Sequence, residues 1–131
     1  MRKYSILLVC VFLLTACGNK LNQLTRVDTQ VRDVKENPGT ETIITDEGEL
    51  DTIRSSFKKI IWNKNSVPSM SRREDVKVSL FIRTDTDEPE RINDYLIWFN
   101  GNKAELISSV QEESYGVLSD AKHLKAVLIK N

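Results

Sequence analysis

Apolar positions follow three successive patterns along the chain. The first is a continuous run. Tyr4 to Leu14 is apolar apart from Ser5, and Arg2 and Lys3 precede it. The run is shorter than the roughly 20 residues a helix needs to cross a bilayer. Its length, charged flank and small residues at the end predict a secretory signal segment. The second pattern is alternation. From Thr25 to Val34, Val27, Thr29 and Val31 lie on one side, with Asp28, Gln30 and Arg32 on the other. This predicts a half-buried strand. Asn37-Pro38-Gly39 predicts a turn, with Pro38 at its first central position and Gly39 at its second. Glu41 to Thr45 then predicts a second strand that forms a hairpin with the first.

The third pattern is helical. Between Asp46 and Asn63, Leu50, Ile53, Phe57, Ile60 and Ile61 recur at spacings of three and four. This predicts an amphipathic helix. Asp46 and Glu49 have the spacing of a capping box. Acids early in this helix and Lys58 and Lys59 late in it suit the helix dipole. Asn65 to Arg73 reads as a loop. Alternation then returns at Asp75 to Arg83, where Val76, Val78, Leu80 and Ile82 oppose Lys77, Ser79, Phe81 and Arg83. Arg91 to Phe99 has large apolar groups on both sides, as expected of a central strand. Asn100-Gly101-Asn102 predicts a hairpin turn. Read as a three-residue loop, it places Leu96 opposite Leu106 and Trp98 opposite Ala104 on the strand from Lys103 to Val110. Gln111 to Gly116 reads as a connection, and Ser119 as the cap of a final helix to Lys130. The expected fold is α+β: a single antiparallel sheet, made of an N-terminal hairpin plus a three-strand meander, with two helices packed mainly on one face.

Leu14-Thr15-Ala16-Cys17 closes the N-terminal apolar run and resembles the lipobox of bacterial lipoproteins. That resemblance implies cleavage before Cys17 and a diacylglyceryl group on its thiol, with or without a further N-acyl chain such as palmitate. Two acyl chains give stable attachment where one gives marginal binding. The expected organisation is a signal peptide over 1–16, a lipidated Cys17 and tether over 17–24, and one domain over 25–131. Cys10 leaves with the signal and Cys17 carries lipid, so no thiol remains for a disulfide, a metal or a nucleophile. The chain has 19 basic and 19 acidic residues. Losing Arg2 and Lys3 leaves 17 basic residues against 19 acidic, a formal charge of −2. That balance gives no footprint for nucleic acid.

Arg73-Glu74-Asp75-Val76, Tyr95-Leu96-Ile97-Trp98-Phe99 and Tyr115-Gly116-Val117-Leu118 resemble small lipoproteins of Bacillus and its relatives, the YhfM-like group. The resemblance implies a Gram-positive cell and an anchor on the outer face of the plasma membrane. It carries no catalytic residues over.

Reactive constellations are sparse. His123 is the single histidine, and a surface or partly buried role on a helix is the plainer reading than catalysis. No Gly-x-Ser-x-Gly elbow and no Gly-rich phosphate loop occurs. Asp85, Asp87, Glu88 and Glu90 resemble the start of a calcium loop, but Pro89 intrudes and the required glycine and terminal glutamate are missing. They are weak metal candidates, and a solvated turn is the plainer reading. Tyr115-Gly116 reads as a turn glycine beside a packing tyrosine, or as the wall of a small cleft. Phe81, Tyr95, Ile97 and Phe99 are assigned to one face of the meander. Helices packed on the opposite face would leave them as an exposed aromatic patch, and such patches mark binding sites; a face covered by the N-terminal hairpin or a loop is the plainer reading. The expected function is a non-enzymatic, membrane-anchored interaction module, binding another envelope protein or a wall component and using no cofactor. The alternative is a sensor or carrier of a small ligand or metal ion.

Overall fold

The structure is a computed structural model that describes residues 19–33, 35, 37–83 and 87–130. The expected signal segment, Cys17, Gly18 and Asp85 lie outside the described residues. A 3-10 turn, Asn19–Gln23, leads into β1 (Leu24–Arg32), β2 (Pro38–Ile44), α1 (Glu47–Lys58), β3 (Ile61–Asn63), β4 (Val76–Ile82), β5 (Arg91–Asn100), β6 (Lys103–Ser108), β7 (Tyr115–Leu118) and α2 (Lys122–Leu128). The seven strands among the described residues form one antiparallel sheet, in the order β2-β1-β4-β5-β6-β7-β3. The fold is α+β.

Cross-strand pairs put one set of apolar side chains on one face. Val27 stands beside Leu80, Val78 beside Tyr95, Ile97 beside Leu106, and Ala104 beside Leu118. Leu50, Ile53 and Phe57 of α1 and Leu124 and Leu128 of α2 complete this core. Phe57 meets Tyr95 edge-on with ring centroids 4.9 Å apart. Each buried Val, Leu, Ile or Phe among them contributes about 1.5–3 kcal/mol.

Helix α1 begins where the sequence places it. The Asp46 carboxylate accepts the Glu49 N–H at 3.0 Å. The Glu49 carboxylate pairs instead with Lys130, which ties the end of α2 to the start of α1. The helix stops at Lys58, short of Asn63. Lys59 and Ile60 donate to Ser56 and Phe57 in a tightened last turn, and Ile61–Asn63 leaves as β3 beside β7. Ile60 stays buried, but Ile61 is 77 % exposed and is not part of the stripe.

Three further expectations are corrected. The first hairpin turns at 33–37 and not on Pro38-Gly39. The Asp33 carboxylate accepts N–H groups from Lys35 and Asn37, and Pro38 opens an edge strand, where its missing donor is harmless. The second hairpin has a two-residue turn, with Asn100 paired to Lys103 and Leu96 to Ile107. Gly101 takes φ of 63°, which a type II′ turn requires at its first central position. Finally, α2 starts at Lys122 without a side-chain cap from Ser119. Asp120 accepts the Lys122 N–H, and the Ala121 N–H is held by the Asn102 carbonyl.

The connection 64–75 links an edge strand to the middle of the sheet. It leaves β3 at Asn63, opposite Tyr115, and rejoins β4 at Val76, opposite Ile97, one register step away across the sheet. Its passage over the face away from the helices is fixed at Trp98, whose indole N–H donates to the Arg72 carbonyl at 2.8 Å.

Candidate functional site

The four residues expected to share one face of the meander are divided between two. The pairing of Val78 with Tyr95 and of Phe81 with Ile92 puts Tyr95 and Phe81 on opposite sides of the sheet. Tyr95, Ile97 and Phe99 are buried under the helices, and Lys125 of α2 lies over the Phe99 ring. Phe81 is half-buried on the other side, where the Arg26 guanidinium stacks 4.4 Å from its ring centre. Arg26 is itself held by a bidentate pair to Asp28.

Tyr95 has a structural task. Its hydroxyl donates to Glu113 at 2.9 Å, and the Ser108 hydroxyl donates to the same oxygen at 2.6 Å. Burial first, and then the charge of Glu113, push the Tyr95 hydroxyl above its usual range. At the opposite end of the sheet, partial burial of Asp75 opposes its charge. Hydrogen bonds from Arg72 and the Phe99 N–H outweigh that and hold the carboxyl below the usual range.

The remaining sequence candidates scatter. Asp87 and Glu88 are exposed in the connection between β4 and β5, and Glu90 pairs with Arg83 at 2.9 Å. Among the described residues no three His, Cys, Asp or Glu side chains converge as a metal site. Tyr115 begins β7 on the face away from the helices, and Gly116 lies under Ile60 and Trp62. His123 is exposed beside a 260 Å³ cleft between the helices, with Asp51, Ser55, Lys59 and Asp120.

Two features had no signal in the residue pattern. The first is the outer edge of β2. This strand pairs with β1 on one side and ends the sheet on the other. Thr40, Glu41, Thr42 and Ile43 are exposed along it. A groove of 270 Å³ runs beside it, lined by Thr29, Val31, Thr40, Thr42 and Ile44 of the hairpin, Val127 and Leu128 of α2, and Lys130. The edge therefore combines backbone groups facing outward with an adjoining trough lined by both apolar and polar side chains.

The second is Arg54. Its guanidinium donates to the Leu21 carbonyl at 3.1 Å and the Leu24 carbonyl at 3.0 Å, and pairs with Asp51 at 2.6 Å. Lys58 adds a bond to the Asn22 side chain, and the Arg83 N–H donates to the Gln23 carbonyl. The stretch expected to be a free tether as far as Leu24 is thus fastened to the domain from Leu21 onward. Leu24 itself belongs to the core.

No protein-family model, curated protein or solved structure matches the chain.

Proposed function

We propose that this protein is a lipid-anchored, non-enzymatic binding module at the outer face of the cell membrane, and that it captures an extended segment of another envelope protein along β2. The outer edge of β2, which no strand among the described residues covers, carries this reading together with its adjoining groove. A strand edge offers its backbone to one kind of occupant, a further strand. Such strand addition takes affinity from main-chain hydrogen bonds and specificity from pockets for alternate side chains. Inward-pointing residues of an added strand would enter the trough between Thr42 and Val127, whose threonines and aliphatic side chains suit small apolar or hydroxylated groups. On the opposite side of the strand Glu41 is exposed, and a Lys or Arg of the partner would complement it. The signal segment, the lipobox-like Leu14-Thr15-Ala16-Cys17 and the resemblance to Gram-positive lipoproteins support the address.

The test is a photo-crosslinking amino acid at Ile43 in growing cells, with and without Thr42→Lys. A discrete adduct whose crosslinked peptide is extended and basic at one position, and which disappears with Thr42→Lys, is expected. No adduct from Ile43, or one indifferent to Thr42→Lys in a folded variant, would contradict capture at this edge.

The second reading is a small-ligand or ion sensor, favoured by the polar cleft between α1 and α2 around Asp120 and His123. It predicts a rise in melting temperature with a small polar ligand that His123→Ala removes.

A further inference from the structure

The lipid-anchored reading leaves open how the domain meets the bilayer, and the Arg54 contacts bear on that. From Cys17 to Leu21 there are four residue steps, at most about 14 Å of extended chain. Beyond Leu21 the chain is not free. The Leu21 and Leu24 carbonyls are both held by one guanidinium. The Gln23 carbonyl is held by the β4 end, and Leu24 pairs with Ile82 in the sheet. Arg54 keeps its side chain 13 % exposed and has two carboxylates, Asp51 and Glu47, to fix its head group. A fork of donors clamped from both sides is a preorganised holder for backbone carbonyls.

We infer that this latch seats the domain on the bilayer in one orientation, with the end carrying Gln23, Lys58 and Arg83 against the lipid headgroups. The inference rests on the reading of Cys17 as the lipidated residue. The opposite end then points away. Arg91 lies beside Ile82 at the seated end, and β5 runs from there to Asn100. Nine residue steps at about 3.3 Å put the Gly101-Asn102 turn about 30 Å farther out. The β2 edge, antiparallel to β1, stands along the same direction, clear of the membrane at the side of the domain.

Attraction to the lipid surface does not explain such seating. Lys58 and Arg83 are accompanied by Glu47, Asp51 and Glu90 around the same end. The mixed charges give no basic patch for anionic headgroups. Orientation therefore comes from the short covalent link and the latch together.

The mature chain would have no free thiol, so single introduced cysteines can be labelled cleanly. The full lipidated protein, in vesicles of phosphatidylglycerol and phosphatidylethanolamine with a headgroup energy acceptor, is labelled at Gln23→Cys or Asn102→Cys. Both side chains are exposed. The expected result is that the Gln23→Cys donor loses most of its emission while the Asn102→Cys donor keeps most of it. Inserting ten Gly and Ser residues between Gly18 and Asn19 leaves every described contact in place and adds a coil of about 18 Å. The difference between the two labels should then shrink sharply. Arg54→Ala should shrink it as well, without the insertion. Equal emission from the two labels on the unmodified tether would overturn the seating while leaving the anchor intact. A difference that survives the insertion would overturn the short link as its cause, and one that survives Arg54→Ala would overturn the latch. Absence of the lipid mass on Cys17 would overturn the anchor and the seating together, and the mass spectrum separates that failure from the others.

Discussion

Tyr95 shows how one side chain can be misplaced by a pattern that is itself correct. Alternation along β5 groups Tyr95, Ile97 and Phe99, and the structure keeps that group. The partner strand decides whether Phe81 joins them. The register of β4 against β5 is set by the connecting segment 83–90, whose length alone does not say which parity faces which. Large apolar residues on both sides of β5 removed the usual arbiter, a polar face. The buried Tyr95 hydroxyl has a consequence for pH dependence. In the folded protein it keeps its proton at pH values where the unfolded chain has lost it. The folded state then binds more protons, so stability falls as pH rises past about 10. Below that pH the contribution is fully present. Tyr95→Phe removes this titration and one hydrogen bond to Glu113. The expected outcome is a loss of about 1 kcal/mol near neutral pH and a shallower decline above pH 10. Urea midpoints of both proteins across pH 7–11 check this, and parallel curves would contradict it.

At the scale of elements, strands β3 and β7 were illegible for one shared reason. Ile60, Ile61 and Trp62 continue the helical spacing of Leu50, Ile53 and Phe57, so the periodicity runs past the end of α1. Their β-branched and aromatic chemistry favours a strand, and the deciding neighbour lies far along the chain. Trp62 pairs across Gly116, and its ring approaches Tyr95 at 6.0 Å. A side chain at position 116 would begin 2.5 Å from Ile60 and 2.6 Å from the Trp62 ring. Gly116 is therefore a packing glycine within a strand, where the sequence suggested a turn. Gly116→Ala should destabilise the protein by about 1–3 kcal/mol through overpacking. Chemical unfolding measures it, and an unchanged midpoint would mean that Trp62 is not seated on β7. By contrast, β1, β4 and the start of α1 were legible, because alternation and a capping aspartate act locally. The Arg54 latch and the β2 edge were not. An arginine in an amphipathic helix reads as solvated, and edge position is a property of the assembled sheet.

For the whole molecule, the proposals join three observations: a lipobox-like Cys17, a domain fastened within a few residues of it, and an open strand edge on its side. Orientation would present that edge to other envelope proteins at a fixed height above the bilayer, which short flexible tethers do not do. Everything in this arrangement depends on the anchor. The most direct measurement is the intact mass of the mature chain, extracted with detergent from the membranes of cells expressing the full sequence. The mature chain should begin at Cys17 and carry the added mass of a diacylglyceryl group, with or without an N-acyl chain. A Cys17→Ala variant should lose that mass and the membrane attachment with it. A wild-type chain that keeps residues 1–16, or that begins elsewhere with an unmodified thiol, would contradict the account.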